Sequence, residues 1–350
     1  MPDPLADARF LVARVTGLAR RSLLSLRTRG IRATLERVRA QLLPPPPALG
    51  EGLYRPPAGP FASFALPTSA APRASIVIPV YGQFTHTLAC LRTLAAHPPA
   101  ASFEVIVVDD GSDDETPTAL PQVDGLRYHR RAANGGFIAA CNDGAALARG
   151  EFLVLLNNDT VPQPGWLDAL LATFDDHPDA GLVGAQLLYP DGRLQEAGAA
   201  VFADGSTWNA GRFGDPMDPR WSYLRDTGYV SGAAIAIPRQ LFFDVGGFDT
   251  RYSPAYYEDT DLAFAVREAG RRVLYQPAAR VVHDEGTTSG TSTHGGPKAA
   301  QVRNRAVFLD HRRDLLAPLG PPREPTPERV HARQRQVLVI DALTPRPDHD

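Results

Sequence analysis

Residues 103–112 read FEVIVVDDGS, an unbroken apolar run from Val105 to Val108 that ends on two carboxylates, Asp109 and Asp110, and a Gly-Ser turn. Four β-branched residues in succession, with no polar alternation, are the pattern of a strand buried on both faces, as in a parallel sheet covered by helices. The same texture recurs in Ser75 to Val80, Phe152 to Leu156 and Leu182 to Leu188, and helical periodicity lies near 84–96, 136–149 and 165–176. Strands alternating with helices predict an α/β fold whose sheet is parallel at least in its first half. Ligands of such sheets sit beyond the carboxyl ends of the strands, so the polar clusters that follow each apolar run are the candidate site residues. Beyond residue 188 the pattern weakens. Residues 196–228 read as a long irregular excursion, followed by a strand from Tyr229 to Ile237, a helix from Asp261 to Ala269 stopped by Gly270, and a strand from Val273 to His283.

The chain has 350 residues, 43% of them hydrophobic, with a formal charge of −3. Such a chain is too apolar for wholesale disorder, and its charge gives no reason to expect a nucleic-acid partner. Two cysteines, Cys90 and Cys141, make neither a disulfide framework nor a four-thiolate zinc site, and they fit small buried residues in a reducing cytoplasm. No stretch approaches the roughly 18 apolar residues of a membrane span, and no signal peptide is legible. Residues 1–43 carry nine arginines against Asp3, Asp7 and Glu36, with apolar residues at roughly helical spacing. A basic amphipathic segment of this kind fits peripheral contact with the inner face of the plasma membrane, or docking on its own protein. Residues 44–72 hold nine prolines and read as an extended linker, and a second linker is expected at 317–335. The final 336–350 open with QVLVID, a buried-strand pattern too short to make a core, which predicts the start of a truncated second domain.

Four clusters carry candidate chemistry. Asp109 and Asp110 follow the second apolar run, where a carboxylate can accept hydrogen bonds from a base or ribose; Ser112 and Glu115 also have capping-box spacing. Asn157-Asn158-Asp159 follows the Phe152 run, and Asp159 suits a hard divalent cation. Glu258-Asp259-Thr260-Asp261 precedes a helix; Asp259 fits its N-cap, yet three carboxylates in four residues exceed what a cap requires. His283 ends a strand beside Asp284 and opens a Gly/Ser/Thr-rich loop, 286–296, expected to act as a lid.

In their order, Pro79 and Tyr81, Asp109-Asp110, Asn134-Gly135-Gly136, Asn157-Asn158-Asp159, Glu258-Asp259 and His283 resemble the motifs of family-2 inverting glycosyltransferases, over about residues 73–316. Among these the chain looks closest to bacterial rhamnosyltransferase-like proteins that build surface polysaccharide. The resemblance implies a GT-A fold, a Rossmann-like, mostly parallel sheet flanked by helices. It further implies that Pro79, Tyr81, Asp109, Asp110, Asn134, Gly135 and Asn158 hold a nucleotide-sugar donor. Asp159 and His283 are then ligands of Mn²⁺ or Mg²⁺, the first Asp of the family's Asp-x-Asp motif being Asn157 here. Asp259 is the implied general base toward a glycan or lipid-linked acceptor, with Glu258 as second choice. Trp208 and Trp221 offer flat faces for an acceptor sugar. The QVLVID segment resembles the opening strand of a GT-B type domain.

Two other readings compete. A sugar nucleotidyltransferase would share the nucleotide-binding half, but Ser75 to Phe84 lacks the basic residues that grip a triphosphate. A non-catalytic sugar-nucleotide-binding scaffold would keep the fold without needing Asp159, Asp259 and His283.

Overall fold

The computed structural model describes residues 52–284 and 297–323. Twelve strands and eight α-helices are found among these residues. The first strand, β1 (Ala74–Val80), pairs in parallel with β2 (Phe103–Asp109) on one side and with β4 (Phe152–Leu156) on the other. β3 (Leu126–Arg130), which the sequence reading did not separate from the surrounding loop, extends the sheet beyond β2. The chain thus builds outward from β1 to β3, crosses back, and adds β4 on the opposite side. That reversal opens a crevice over the carboxyl ends of β1 and β4.

Both faces of the sheet's centre are buried, which is why β1, β2 and β4 are almost wholly apolar. Ile76, Ile78, Val105 and Val107 pack toward α1 (Phe84–Ala96) and α4 (Trp166–Asp176). Val77, Ile106 and Val108 face α3 (Phe137–Leu147) and α6 (Glu258–Glu268). α2 (Thr116–Ala119) is a single turn, and its capping-box expectation is not met: Ser112 Oγ instead accepts from Gly82 N–H at 2.8 Å. Asp114 does the capping, accepting from Thr116 N–H at 3.0 Å and from Phe84 N–H, at the start of α1, at 2.9 Å.

The second half is mixed in direction. β6 (Ala180–Leu188) runs parallel to the long β12 (Arg272–His283), while β11 (Ala234–Pro238) inserts antiparallel between β4 and β6. The strand expected from Tyr229 therefore starts only at Ala234, because residues 231–233 turn over the carboxyl end of β4, where Asn157 N–H donates to the Ala233 carbonyl at 2.9 Å. Short β5 (Thr160–Pro162) pairs with the end of β12, and β7 (Leu194–Glu196) with the end of β6. The excursion at 196–228 contains the small hairpin β8 (Ala199–Val201) and β9 (Thr207–Asn209) and a two-residue β10 (Arg225–Asp226) at the sheet edge. After β11 comes the short α5 (Arg239–Asp244), and the last helices among the described residues are α7 (Pro297–His311) and α8 (Arg313–Leu316), which the sequence reading did not place.

Residues 52–72 form no helix or strand beyond an isolated bridge at Ala65, and they dock on the domain: Leu66 is buried, with Phe61 and Phe64 packed against the same core. Cys90 and Cys141 are buried free thiols. Among the described residues no helix is long and apolar enough to cross a membrane. The basic segment 1–43, the Gly-rich loop after His283 and residues 336–350 lie outside the described residues.

Candidate active site

A cavity of about 460 Å³ lies over the switch point. Pro79 and Tyr81 reach it from the end of β1, Asp110 from β2, Asn158 and Asp159 from β4, Glu258 and Asp259 from the start of α6, and His283 from the end of β12. Residues as far apart in sequence as 79 and 283 meet because each sits at or just beyond a strand's carboxyl end, or, for Glu258 and Asp259, in the first turn of a helix that begins there.

Asp109 and Gly135 do not line this cavity. Asp109 is fully buried; its Oδ1 accepts from Ser112 N–H at 2.7 Å, and its Oδ2 accepts from Arg130 at 2.7 Å and from the Tyr128 hydroxyl. Asp110 lines the cavity while organising the loop beside it, accepting from Gly135 N–H at 2.9 Å, from Gly136 N–H at 2.7 Å and from Arg131. Gly136 has φ +87°, and a Cβ there would meet Pro254 at 2.7 Å, so this loop can close on the 254 turn only with glycine. Tyr81 is 53% exposed, an unusual state for a large ring, at the mouth of the cavity. Asn158 is buried, and its amide donates to Thr87 of α1 at 3.0 Å.

His283 Nε2 stands 3.4 Å from Asp159 Oδ1. Gln195 fixes the ring: its amide nitrogen donates to the His283 carbonyl at 3.2 Å, so its oxygen, 2.8 Å from Nδ1, accepts from the Nδ1–H. Nε2 is thereby directed at the carboxylate. A ring nitrogen and a carboxylate oxygen at that spacing are suited to a shared divalent cation, and an imidazole oriented through its other nitrogen is the usual arrangement for a metal-binding histidine. The donor set therefore fits such an ion. A second acid-rich group, Asp249, Asp261 and His311, also brings its ligand atoms within 4.8 Å of one another. It lies outside the cavity lining, and Asp261 is already engaged there by Arg312, through Nε at 2.7 Å and Nη2 at 3.0 Å.

The acidic cluster needs one correction. The helix begins at Glu258, so Asp259 is not its N-cap; that place belongs to Tyr257, and Glu258, Asp259 and Asp261 all fall in the first turn. Asp259 Oδ2 accepts from Gly232 N–H at 3.0 Å, and Oδ1 accepts from Thr260 N–H at 2.7 Å and from its hydroxyl at 3.2 Å. Desolvation raises the Asp259 carboxyl above its ordinary value, against the pull of those three donors. Glu258 is held well above the carboxylate range by burial and by the adjacent Asp259 charge, and its Oε2 is buried with no hydrogen-bond partner among the described residues.

Glu196 was missed in the sequence because it sits in the stretch read as irregular. It lines the cavity at 1% exposure, and its Oε1 accepts from Ser231 N–H at 2.9 Å, next to the Gly232 N–H that holds Asp259. Burial, reinforced by the Asp259 charge, pushes the Glu196 carboxyl from 4.5 up to about 8. A carboxyl with a raised folded-state value costs stability as pH rises through that interval, since the unfolded chain ionises first. Glu196→Gln keeps an acceptor for Ser231 and removes the titration. The variant should therefore melt progressively higher than the unsubstituted protein between about pH 5 and pH 8; parallel melting curves across that range would contradict the assignment.

The acceptor wall expected from the tryptophans is not formed. Trp221, 6% exposed, is packed with Leu188, Leu194 and Tyr275, and the Arg225 guanidinium lies 5.4 Å from its ring centre. Neither it nor the half-buried Trp208 lines the cavity; for Trp221, burial of apolar surface outcompeted display.

A mostly parallel sheet with antiparallel β11, and a cavity over the switch point of its strands, are the architecture of the GT-A fold. Solved structures with that fold include GalNAc-T7 with UDP, GalNAc and Mn²⁺, at a TM-score of 0.53 and 18% identity, over 71% of this chain and 50% of that one. Staphylococcus aureus TarS in complex with UDP-GlcNAc gives a TM-score of 0.51 and 18% identity over 70% of each chain. Residues 75–235 match the profile of glycosyl transferase family 2, and the chain carries a domain of that family. It is 32% identical over 265 residues to the uncharacterized protein y4gI of Sinorhizobium fredii, covering 72% of this chain and 29% of that protein. To the O-antigen biosynthesis protein RfbC of Myxococcus xanthus it is 31% identical over 266 residues, covering 73% of this chain and 20% of that protein. To the N-acetylglucosaminyl-diphospho-decaprenol L-rhamnosyltransferase of Mycobacterium tuberculosis it is 28% identical over 234 residues, 59% of this chain and 75% of that protein. The chain thus spans less than a third of the first two relatives.

Proposed function

We propose that the chain is an inverting, divalent-cation-dependent glycosyltransferase that moves a sugar from a UDP- or dTDP-sugar to a glycan or lipid-linked acceptor in bacterial surface-polysaccharide synthesis. The observation that carries this reading is a single cavity in which the Asp159–His283 pair and the carboxyls of Asp259, Glu258 and Glu196 meet over a nucleotide-binding switch point. The names of the Myxococcus and Mycobacterium relatives, one in O-antigen biosynthesis and one transferring L-rhamnose to a lipid diphosphate, favour this substrate class.

In this reading Pro79, Tyr81, Asn134 and Asn158 shape the donor side, with Asp110 holding the 134–136 loop in place. Asp159 and His283 would hold the cation, Mn²⁺ or Mg²⁺, which when bound offsets the charge of the departing diphosphate. Asp259 accepts the proton of the acceptor hydroxyl, and the raised value of its carboxyl favours that uptake. The Gly232 N–H fixes Oδ2 and so aims the carboxylate. Glu258 and Glu196, both pushed toward the protonated form by burial, serve as hydrogen-bonding neighbours that do not compete for the incoming proton.

The test is a calorimetric screen of UDP-, dTDP- and GDP-sugars with Mn²⁺, followed by transfer and hydrolysis assays with the donors that bind. Binding without any turnover would favour a scaffold, and no donor binding would remove the proposal. The basic residues 1–43 are proposed to provide peripheral contact with the cytoplasmic membrane face. The full chain should co-sediment with anionic vesicles in a salt-sensitive manner and a chain starting near Pro72 should not; equal co-sedimentation would refute this.

A further inference from the structure

We propose that Asn304, on helix α7 and outside the cavity, is a positioning residue that holds Glu258 and Asp259 in their working geometry. Its warrant starts with the backbone just before those carboxyls. Tyr256 and Tyr257 both have φ +76°, two consecutive non-glycine residues in the left-handed region. That region is unfavourable for residues with a Cβ, and such a turn persists only where its surroundings over-determine it.

The surroundings that do so converge on α7. Asn304 is 0% exposed, and its amide nitrogen donates to three carbonyls of the turn, those of Tyr252 at 2.5 Å, Ala255 at 2.9 Å and Tyr256 at 2.9 Å. Its neighbour Arg303 donates to the Ser253 carbonyl. One turn later, the Phe308 ring packs on Tyr257 with centroids 5.3 Å apart. Tyr257 is anchored from its other end, where the hydroxyl donates to the Gly205 carbonyl at 2.9 Å, and Arg305 holds the same 204–205 turn through Asp204 at 2.6 Å. The carbonyl bonds act on residues 252–256, immediately ahead of the helix start that carries Glu258 and Asp259. Asn304 does not itself line the cavity, while Ala255 and Tyr256, whose carbonyls it holds, do, so its effect is transmitted through this turn.

An amide suits the task because its two N–H groups serve the three carbonyls, one of them shared, while its Oδ1 accepts from Arg303 Nε at 3.0 Å. Asn304→Asp would set a carboxylate against three carbonyl oxygens. Asn304→Ala removes the donors, and Asn304→Ser keeps a single donor on a shorter arm. This inference rests on the glycosyltransferase reading. The experiment uses the full chain with Mn²⁺ and a donor found by calorimetry, measuring donor Kd, transfer kcat, melting temperature and amide hydrogen exchange across residues 250–262. Expected results are a kcat loss of about tenfold for Ala and about a hundredfold for Asp, a smaller loss for Ser, a donor Kd that changes by much less than kcat because the turn meets the donor side only where Pro254 packs on Gly136, and faster exchange confined to the turn. If Asp fails to fold, Ala and Ser still decide. A folded Ala variant with unchanged kcat or unchanged exchange overturns the proposal, as does a Kd that worsens in step with kcat. An unsubstituted protein that transfers no sugar defeats the functional reading instead, and exchange then still reports whether Asn304 orders the turn.

Discussion

Asp259→Asn should lower kcat by a factor of about 10² to 10⁴ while leaving donor affinity nearly unchanged. The substitution is close to isosteric, so the loss isolates the ability to accept a proton. It is not silent structurally, because the carboxylate accepts from Gly232 N–H on one oxygen and from Thr260 N–H and hydroxyl on the other. An amide can keep only one of those sides, and the mismatch on the other costs on the order of 1–3 kcal/mol. Thermal melting should therefore drop modestly while catalysis collapses. Transfer rates at saturating donor, melting curves and donor titrations separate the two effects. Turnover within a few-fold of the unsubstituted enzyme would move the base to another carboxyl, and Glu258 is next in line, since its buried Oε2 has no partner among the described residues.

Asp159→Ala should be the other severe lesion, lowering turnover by at least about 10²-fold, the scale of losing one electrostatic stabiliser of a developing anion. Asn157 and Asn158 leave Asp159 as the one formal negative charge in that turn, so no neighbour within it can substitute. The backbone contact from Asp284 N–H to the Asp159 carbonyl at 3.0 Å survives the change, and the protein should stay folded. Calorimetry provides the readout that does not depend on catalysis: in the unsubstituted chain donor affinity should rise on adding Mn²⁺ and fall on adding EDTA, and in Asp159→Ala it should respond to neither. Full turnover in excess EDTA would exclude the cation role assigned to Asp159 and His283.

The outline of the fold was legible because burial on both sheet faces writes a local signal. Ser75 to Val80, Phe103 to Asp109 and Phe152 to Leu156 are almost wholly apolar for that reason, and the polar residues after each run had to lie at the carboxyl ends of parallel strands. Strands that face solvent carry less of that signal. β3, residues LRYHR, is half exposed and blends into its loops. Helix α7 hid for a related reason. Its inward positions Ala300, Asn304 and Phe308 have the i, i+4 spacing of a helix face, but the central one is an amide whose donors find their partners only in the carbonyls of residues 252–256.

The sequence by itself determined which residues stand at strand ends, and through them the α/β class and most of the candidate site: Pro79, Tyr81, Asp110, Asn134, Asn158, Asp159, Glu258, Asp259 and His283 all reach one cavity. Tertiary structure decided what each carboxylate does there, because that depends on partners far away in the chain. Asp109 and Asp110 are adjacent, yet the first is consumed by Arg130, Tyr128 and Ser112 while the second faces the cavity. Glu196 came into the site only when β7 paired with β6 and the 231–232 turn crossed over β4. Trp221 left it for the core. Local patterning reflects whether a position is buried, and only the packing of distant segments sets which hydrogen bonds and charges it meets once buried.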